Sequence, residues 1–296
     1  TVLAITNLGD NYTPIGLIVD EKTIVNALVG LLASGGSTNH TLHLVAIAAA
    51  AGIVIDWDDF GELSQAVPLM ARVYPNGLAD VNHFHAAGGL GYMISQLLDA
   101  GLLHDDVQTV LGHGLCKFCV EPALEAGKLE WRPAQAKSLD EEILRPVDKP
   151  FDAEGGLRVV DGPIGRAIVK VSAVAEEHYK ITAPARVFES QEAFANAFNA
   201  GELEMDFVAV LPYQGPRANG MPELHKLTPY LGVLQNRGFK VALLTDGRMS
   251  GASGKVLAAI QVTPEAVDGG TIGKLRNDDL ITIDSAAGML SVTADD

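Results

Sequence analysis

The chain has 296 residues, 48% of them hydrophobic and 20% charged, and a formal net charge of −16. That size and balance describe a folded protein with a real core, one large or two ordinary domains, and exclude a disordered chain. The acidity argues against a nucleic-acid partner, which needs a basic surface, but not against small anions, because a local Arg/Lys cluster can dominate a site.

The chain begins at Thr1 in mid-pattern, as expected of a fragment or a trimmed product. Residues 21–34 place Ile24, Val25, Ala27, Leu28, Leu31 and Leu32 at helical spacing, closed by Gly35-Gly36. A second helix is expected through residue 51, with Ser37 or Thr38 as its N-cap. Two glycines before a capped helix start suit an anion, since free N–H groups and the helix dipole point the same way. Gly35, Gly36, Ser37, Thr38 and Asn39 are therefore candidate substrate-binding residues.

Residues 42–55 read as a buried helix running into a short strand at 52–55. That run falls short of the roughly 20 apolar residues of a membrane span, so no membrane partner is expected. Residues 58–70 are amphipathic, a helix entered through the acidic turn at 56–59. Residues 74–85 read as a loop carrying Asp80, Asn82, His83 and His85 ahead of a Gly-rich helix start. Cys116 and Cys119 are the only cysteines and form one CxxC, with His113 three residues earlier. One such pair is half a zinc site, a redox pair or neither. Two cysteines in a chain of this length fit a reducing cytosol. Residues 112–156, weakly periodic and rich in Pro, Gly and charge, read as a long connector, which divides the chain near residue 150.

The remainder is β-rich. Strands are expected at 165–172, 185–188 and Phe207–Leu211, with a closing hairpin of Leu280–Asp284 and Met289–Thr293. Helices interrupt them at Gln191–Asn199 and 223–235. The pattern is that of a barrel-like domain with helical insertions.

Two loops there carry chemistry. The apolar run 239–244 ends in Thr245-Asp246-Gly247-Arg248-Met249-Ser250-Gly251-Ala252-Ser253-Gly254. Polar groups at the carboxyl end of a buried strand lie where open α/β sheets bind ligands. Arg248 offers a fork for a carboxylate or phosphate, and Ser250 a hydroxyl that can attack or take a proton if its pKa falls. Read plainly, the segment is also a Gly/Ser turn with a solvated Arg. The second loop, residues 214–226, runs into a helix whose first turn carries Glu223. A lone carboxylate there is commonly a dipole partner, and is otherwise a ligand for a divalent cation such as Mg²⁺.

The words Gly35-Gly36-Ser37-Thr38-Asn39, Gly215-Pro216-Arg217-Ala218-Asn219-Gly220-Met221-Pro222-Glu223 and Asp246-Gly247-Arg248-Met249-Ser250-Gly251 together resemble the family of dihydroxy-acid and 6-phosphogluconate dehydratases. Longer words at 35–44, 71–77, 79–84 and 220–229 are most similar to its phosphogluconate branch. The likeness runs from about residue 10 to 293.

The resemblance implies a hydro-lyase that takes a proton from C2 and hydroxide from C3 of a sugar acid, giving a 2-keto acid. For 6-phospho-D-gluconate the product is 2-keto-3-deoxy-6-phosphogluconate. It implies Ser250 as an alkoxide base beside Arg248, and Glu223 as a Mg²⁺ ligand. It also implies an iron–sulfur cluster whose cysteines lie upstream of and are absent from this chain. Asp246 enters as a substrate-binding residue from its word. Arg217 enters as a cation for the phosphate, with Arg72, His225 and Lys226 as further candidates.

The implied fold is α/β: residues 1–150 are the C-terminal part of an α/β domain plus connector, and 151–296 a swivelling β-barrel-like domain. The implied partners are the N-terminal remainder of a roughly twice longer enzyme and a second copy in a cytoplasmic dimer. Alone, the chain is expected to carry no cluster and no activity. The alternatives are a dehydratase of another sugar acid or of branched-chain 2,3-dihydroxy acids, and a non-catalytic remnant or assembly module.

Overall fold

The structure, a computed structural model, describes residues 2–249 and 254–293. The chain forms two compact units, Thr1–Gly36 with His40–Gly155, and Ser37–Asn39 with Gly156–Asp296.

The first unit is mainly helical. After the short α1 (Val2–Ile5), α2 spans Glu21–Ser34 as its periodicity predicts. Asp20 starts it by a reciprocal cap with Thr23, and Gly35, left-handed at φ 60, ends it. Its face of Ile24, Leu28, Leu31 and Leu32 is buried. α3 is His40–Ala50, starting later than the capping residues suggest, because Ser37 Oγ accepts the Asn39 N–H and holds 37–39 as a turn. The expected strand at 52–55 does not form. Gly52 turns the chain at φ 77, and Val54 is 92% exposed instead of buried. α4 (Trp57–Ala66) enters through Asp56, capped reciprocally with Asp59.

The expected loop at 74–85 contains α5 (Val81–Ala86), and α6 follows at Gly89–Asp99. Asp80 caps α5. Its carboxylate bonds the backbone N–H and the ring nitrogen of His83, and the Asn82 N–H as well, and these bonds hold its pKa below the usual value. The connector expected at 112–156 is structured in its first part. β1 (Gln108–Thr109) pairs β2 (Gly112–His113), and β3 (Val120–Glu125) pairs β4 (Lys128–Pro133). The β3–β4 turn is Ala126-Gly127, both at positive φ, the two-residue form that matches strand twist.

The second unit is a mixed eight-stranded sheet. Its strands are β5 (Leu157–Val160), β6 (Arg166–Lys170), β7 (Lys180–Val187), β8 (Phe207–Leu211), β9 (Val241–Thr245), β10 (Ala258–Thr263), β11 (Leu280–Asp284) and β12 (Met289–Thr293). Their order is β12-β11-β7-β8-β9-β10-β6-β5. β7, β8, β9 and β10 run parallel, and the flanking strands are antiparallel. The two edges meet. Asp161 N–H donates to Gly288 O at 2.9 Å, and Leu290 N–H donates to Asp161 O at 2.9 Å, so the sheet is nearly a closed barrel.

Side chains alternate across this sheet. Val169, Ala185, Val208, Leu244, Ile281 and Leu290 belong to one buried core. The other face of the parallel strands is also covered, which is why β8 and β9 are buried at every position. α7 (Gln191–Asn199), α8 (Pro216–Asn219) and α9 (Leu227–Asn236) lie in the crossovers of these strands. Phe194 of α7, fully buried, meets Phe188 edge-on with centroids 5.0 Å apart and also packs with Phe207 and Tyr230. β5 and β10 were not expected from sequence. β10 opens with two alanines, which are weak strand formers. Among the described residues no helix is long and apolar enough to cross a membrane.

Gly162 lies at the barrel seam. A Cβ there would fall 2.1 Å from Leu290 O, an atom of the closing strand's backbone. Gly162→Ala is expected to force the seam apart and lower unfolding stability by about 1–3 kcal/mol, read from urea denaturation.

Candidate active site

The loops that follow β8 and β9 leave the carboxyl ends of adjacent parallel strands. Asp246 binds them together. It is 1% exposed; its Oδ1 accepts the Gln214 N–H at 2.7 Å, and its Oδ2 accepts those of Tyr213 at 3.1 Å and Ala266 at 2.9 Å. Thr245, fully buried, donates to Leu211 O at 2.7 Å and accepts the Gly247 N–H at 3.0 Å. Glu265 caps α8 from below, accepting the N–H groups of Arg217 and Ala218 at 3.1 and 3.2 Å. Gly215 makes room for it, since a Cβ there would lie 2.2 Å from Glu265 Oε2.

On this platform Glu223 and Arg248 form a backbone bridge, with Leu224 N–H donating to Arg248 O at 2.9 Å. Their side chains meet as well. Arg248 Nη1 lies 3.3 Å from Glu223 Oε1, and Arg248 Nε donates to Met221 O at 2.9 Å. Met221 sits at φ 54, a left-handed conformation uncommon for a side-chain-bearing residue.

Asn39 lies against the same pair. In one amide orientation its nitrogen donates to Glu223 Oε1 at 3.3 Å. In the other, which satisfies both amide atoms, its oxygen accepts from Arg248 Nη1 at 3.2 Å and its nitrogen donates to Met249 O at 3.3 Å. Gln261, 2% exposed and at φ 58 in an irregularity of β10, completes the frame. Its side chain donates to Thr38 O at 3.3 Å, and its N–H to Gly247 O at 2.9 Å. Asn39, Glu223 and Arg248 are thus brought together. Gln261 was missed, since one Gln in a strand gives no signal without the bulge.

Other expectations change. Glu223 is not in a helix start: α9 begins at Leu227, and Glu223 is extended backbone paired with Arg248. The dipole-partner role therefore lapses. Asp246 is enclosed and bonded to three backbone N–H groups, so it braces the loops. Arg217 is exposed on α8 and pairs with Asp268. Gly35 and Gly36 belong to the first unit, where Gly35 ends α2 and its carbonyl accepts from Asn76 Nδ2 at 2.8 Å. The Asn39 N–H is taken by Ser37, which removes one of the helix-start donors expected for an anion. Ser250 lies outside the described residues.

The metal groups implied by the sequence would need ligands beyond the described residues. Among them no group of three or more His, Cys, Asp or Glu could hold a metal ion. Cluster ligation needs thiolates. Cys116 is held protonated by its hydrogen bond to the Asp105 carboxylate, and Cys119 chiefly by burial, both with raised pKa. Glu223 is a single carboxylate already facing a guanidinium, which is a fraction of a Mg²⁺ site.

A small pocket, open to solvent, lies in the second unit between the sheet and α9. Lys170, Thr38 and Thr228 line it together with Leu231, Leu243 and Ile260. Lys170 is 8% exposed, and burial lowers its pKa to about 8. The sequence reading passed over this lysine because it ends an ordinary strand pattern.

Two sequence profiles match the chain. Residues 1–117 match the one described as dihydroxy-acid/6-phosphogluconate dehydratase N-terminal, and residues 142–296 the corresponding C-terminal one. The chain is 64% identical to a phosphogluconate dehydratase of Pseudomonas aeruginosa over 286 residues, 97% of this chain and 47% of that protein. It is 56% identical to the phosphogluconate dehydratase of Escherichia coli (strain K12) over 295 residues, 100% and 49%. With a dihydroxy-acid dehydratase of Sulfurisphaera tokodaii it shares 39% over 289 residues, 95% and 49%. The chain spans about half the length of the curated relatives it matches.

Two substitutions separate the brace from the surface. Asp246→Ala orphans three backbone N–H groups at about 1–3 kcal/mol each when buried, so a loss of at least about 3 kcal/mol is expected in urea denaturation. Arg217→Ala, at an exposed pair, should cost less than about 1 kcal/mol. A third tests burial of the amine. With its pKa lowered from 10.5 to about 8, Lys170 is charged below pH 8 in the fold at a desolvation cost. Between pH 8 and 10.5 only the unfolded chain binds that proton, so stability rises with pH there. Lys170→Met should therefore stabilise the protein at neutral pH, with the gain shrinking across that window in denaturation series.

Proposed function

The chain belongs to the dihydroxy-acid/6-phosphogluconate dehydratase family, and from that premise we propose that the protein carrying it dehydrates 6-phospho-D-gluconate to 2-keto-3-deoxy-6-phosphogluconate. The observation that carries the substrate choice is the gap in identity. Relatives named phosphogluconate dehydratase reach 64% and 56%, against 39% for one named dihydroxy-acid dehydratase.

The reaction removes a proton from C2 and hydroxide from C3, and the resulting enol tautomerises to the 2-keto acid. The α-proton of a carboxylate is weakly acidic, so the base must be strong and the developing charge stabilised. In this proposal Ser250 takes the proton. It follows Arg248-Met249 on the loop that Asp246 anchors. Arg248 is held by Met221 O and Glu223, which fixes its guanidinium as an electrostatic element for the anionic substrate. Thr38 and Asn39 contribute to the same substrate-facing frame.

The cofactors of the proposal are an iron–sulfur cluster on residues outside this chain, and Mg²⁺ with Glu223 as one ligand. They would supply Lewis acidity at the leaving hydroxyl and the carboxylate. No step above depends on their placement. A cytoplasmic homodimer, and a second unit that swivels as a domain, complete the proposal.

The test uses the natural full-length protein. Turnover of 6-phosphogluconate, followed as 2-keto acid, should exceed that of a branched-chain 2,3-dihydroxy acid by at least about 10³-fold in kcat/KM. Ser250→Ala should keep its fold by circular dichroism and lose about 10³-fold in kcat. Preference for the branched-chain acid would reassign the substrate, and near-normal turnover by Ser250→Ala would remove Ser250 as the base.

A further inference from the structure

The pocket beneath α9 lies on the outer face of the barrel. Ala167 and Val169 of β6 point into the core cluster, so by strand alternation Ile168 and Lys170 point outward. Leu243 of β9 and Ala258 of β10 line the same pocket and alternate with core residues in the same way. α9 covers it with Thr228 and Leu231. The result is an apolar recess holding one ammonium and two hydroxyls, the composition of a small-ligand site in which a few polar groups set orientation. Among the described lining residues the one charged side chain is Lys170.

The recess adjoins the Arg248–Glu223 pair through the chain itself. Thr38 lines the pocket, and the next residue, Asn39, lies against Arg248. Met249 also lines it and directly follows Arg248. Gln261 fixes the Thr38 carbonyl, so this wall is not free to drift.

We propose that this pocket is an anion site taking the oxyanion end, carboxylate or phosphate, of a small organic acid. Lys170 is its counter-charge, and Thr38 and Thr228 are its hydroxyl donors. The sugar-acid identity of the ligand rests on the function proposed above; the pocket and its charge do not. Lys170 is in this role a binding residue. An oxyanion in contact favours the charged amine and offsets what burial takes away.

The experiment follows Lys170 directly in protein labelled with ¹³C at the lysine ε-carbon. Its resonance is identified as the one absent from Lys170→Arg. Gluconate presents only the carboxylate, glucitol 6-phosphate only the phosphate, and 6-phosphogluconate both. The expected result is a saturable shift of the Lys170 resonance with 6-phosphogluconate and with one of the single-anion probes, which identifies the oxyanion. Lys170→Met should bind the same probes at least tenfold more weakly by calorimetry. A Lys170 resonance unmoved by saturating concentrations of all three would overturn the proposal, as would unchanged affinity in a folded Lys170→Met. Should that variant fail to fold, the wild-type titration decides alone. A protein that fails to dehydrate 6-phosphogluconate yet shifts Lys170 with a probe would discard the function and keep the site. A fully active enzyme with a silent Lys170 would do the reverse.

Discussion

One buried carboxylate organises the site. Asp246 takes the backbone N–H groups of Tyr213, Gln214 and Ala266, and so ties the loop after β8, the loop after β9 and the segment after β10 to one point. A buried N–H without a partner costs more than a typical hydrogen bond gains. These three donors are therefore fixed in place by the penalty of losing their acceptor. Arg248 sits two residues beyond Asp246, and Glu223 reaches it from the other loop. Their juxtaposition is a consequence of the brace. The pair itself, at 3.3 Å with both side chains about a third exposed, contributes at most about 1 kcal/mol and could not position the loops unaided.

The barrel supplies the rest of the rigidity. Four parallel strands need covering on both faces, so the inner side chains fill the core while α7 and α9 cover the outside. The edges close on Asp161 and Leu290, which removes the free strands a mixed sheet would otherwise leave. Closure and a covered outer face together create the recess under α9, because a helix packed over small side chains such as Ala258 cannot fill all the space above the strands.

Much of this was legible in the sequence, and the exceptions have physical causes. α2 was clear because six apolar positions kept helical spacing up to two closing glycines. β8, β11 and β12 were clear because they are short β-branched runs. β10 was not, since Ala258 and Ala259 carry little strand signal and its function depends on a bulge at Gln261 that only the fold defines. The loop expected at 74–85 hid a short helix, whose start is capped reciprocally by Asp80 and His83. The site words identified the loops correctly as places where polar residues gather. They could not separate Asp246, which braces, from Arg248, which faces outward, because that distinction depends on burial. Lys170 escaped for the same reason, as its environment is made by strands and a helix distant in sequence.

Burial also explains why two cations in one unit have different natures. Arg248 is about a third exposed and is oriented by a carboxylate and a carbonyl. Lys170 is enclosed, and its amine is brought to about 8. Desolvating an ammonium costs several kcal/mol before any compensation. An exposed guanidinium can be a by-product of a charged surface. Lys170 instead lies on the covered face of a β-strand, beside a recess with two hydroxyls. The barrel, the brace and the buried amine then form one sequence of causes: strand alternation turns Lys170 outward, α9 encloses it, and Thr38 and Met249 join its recess to the frame that Asp246 holds in place.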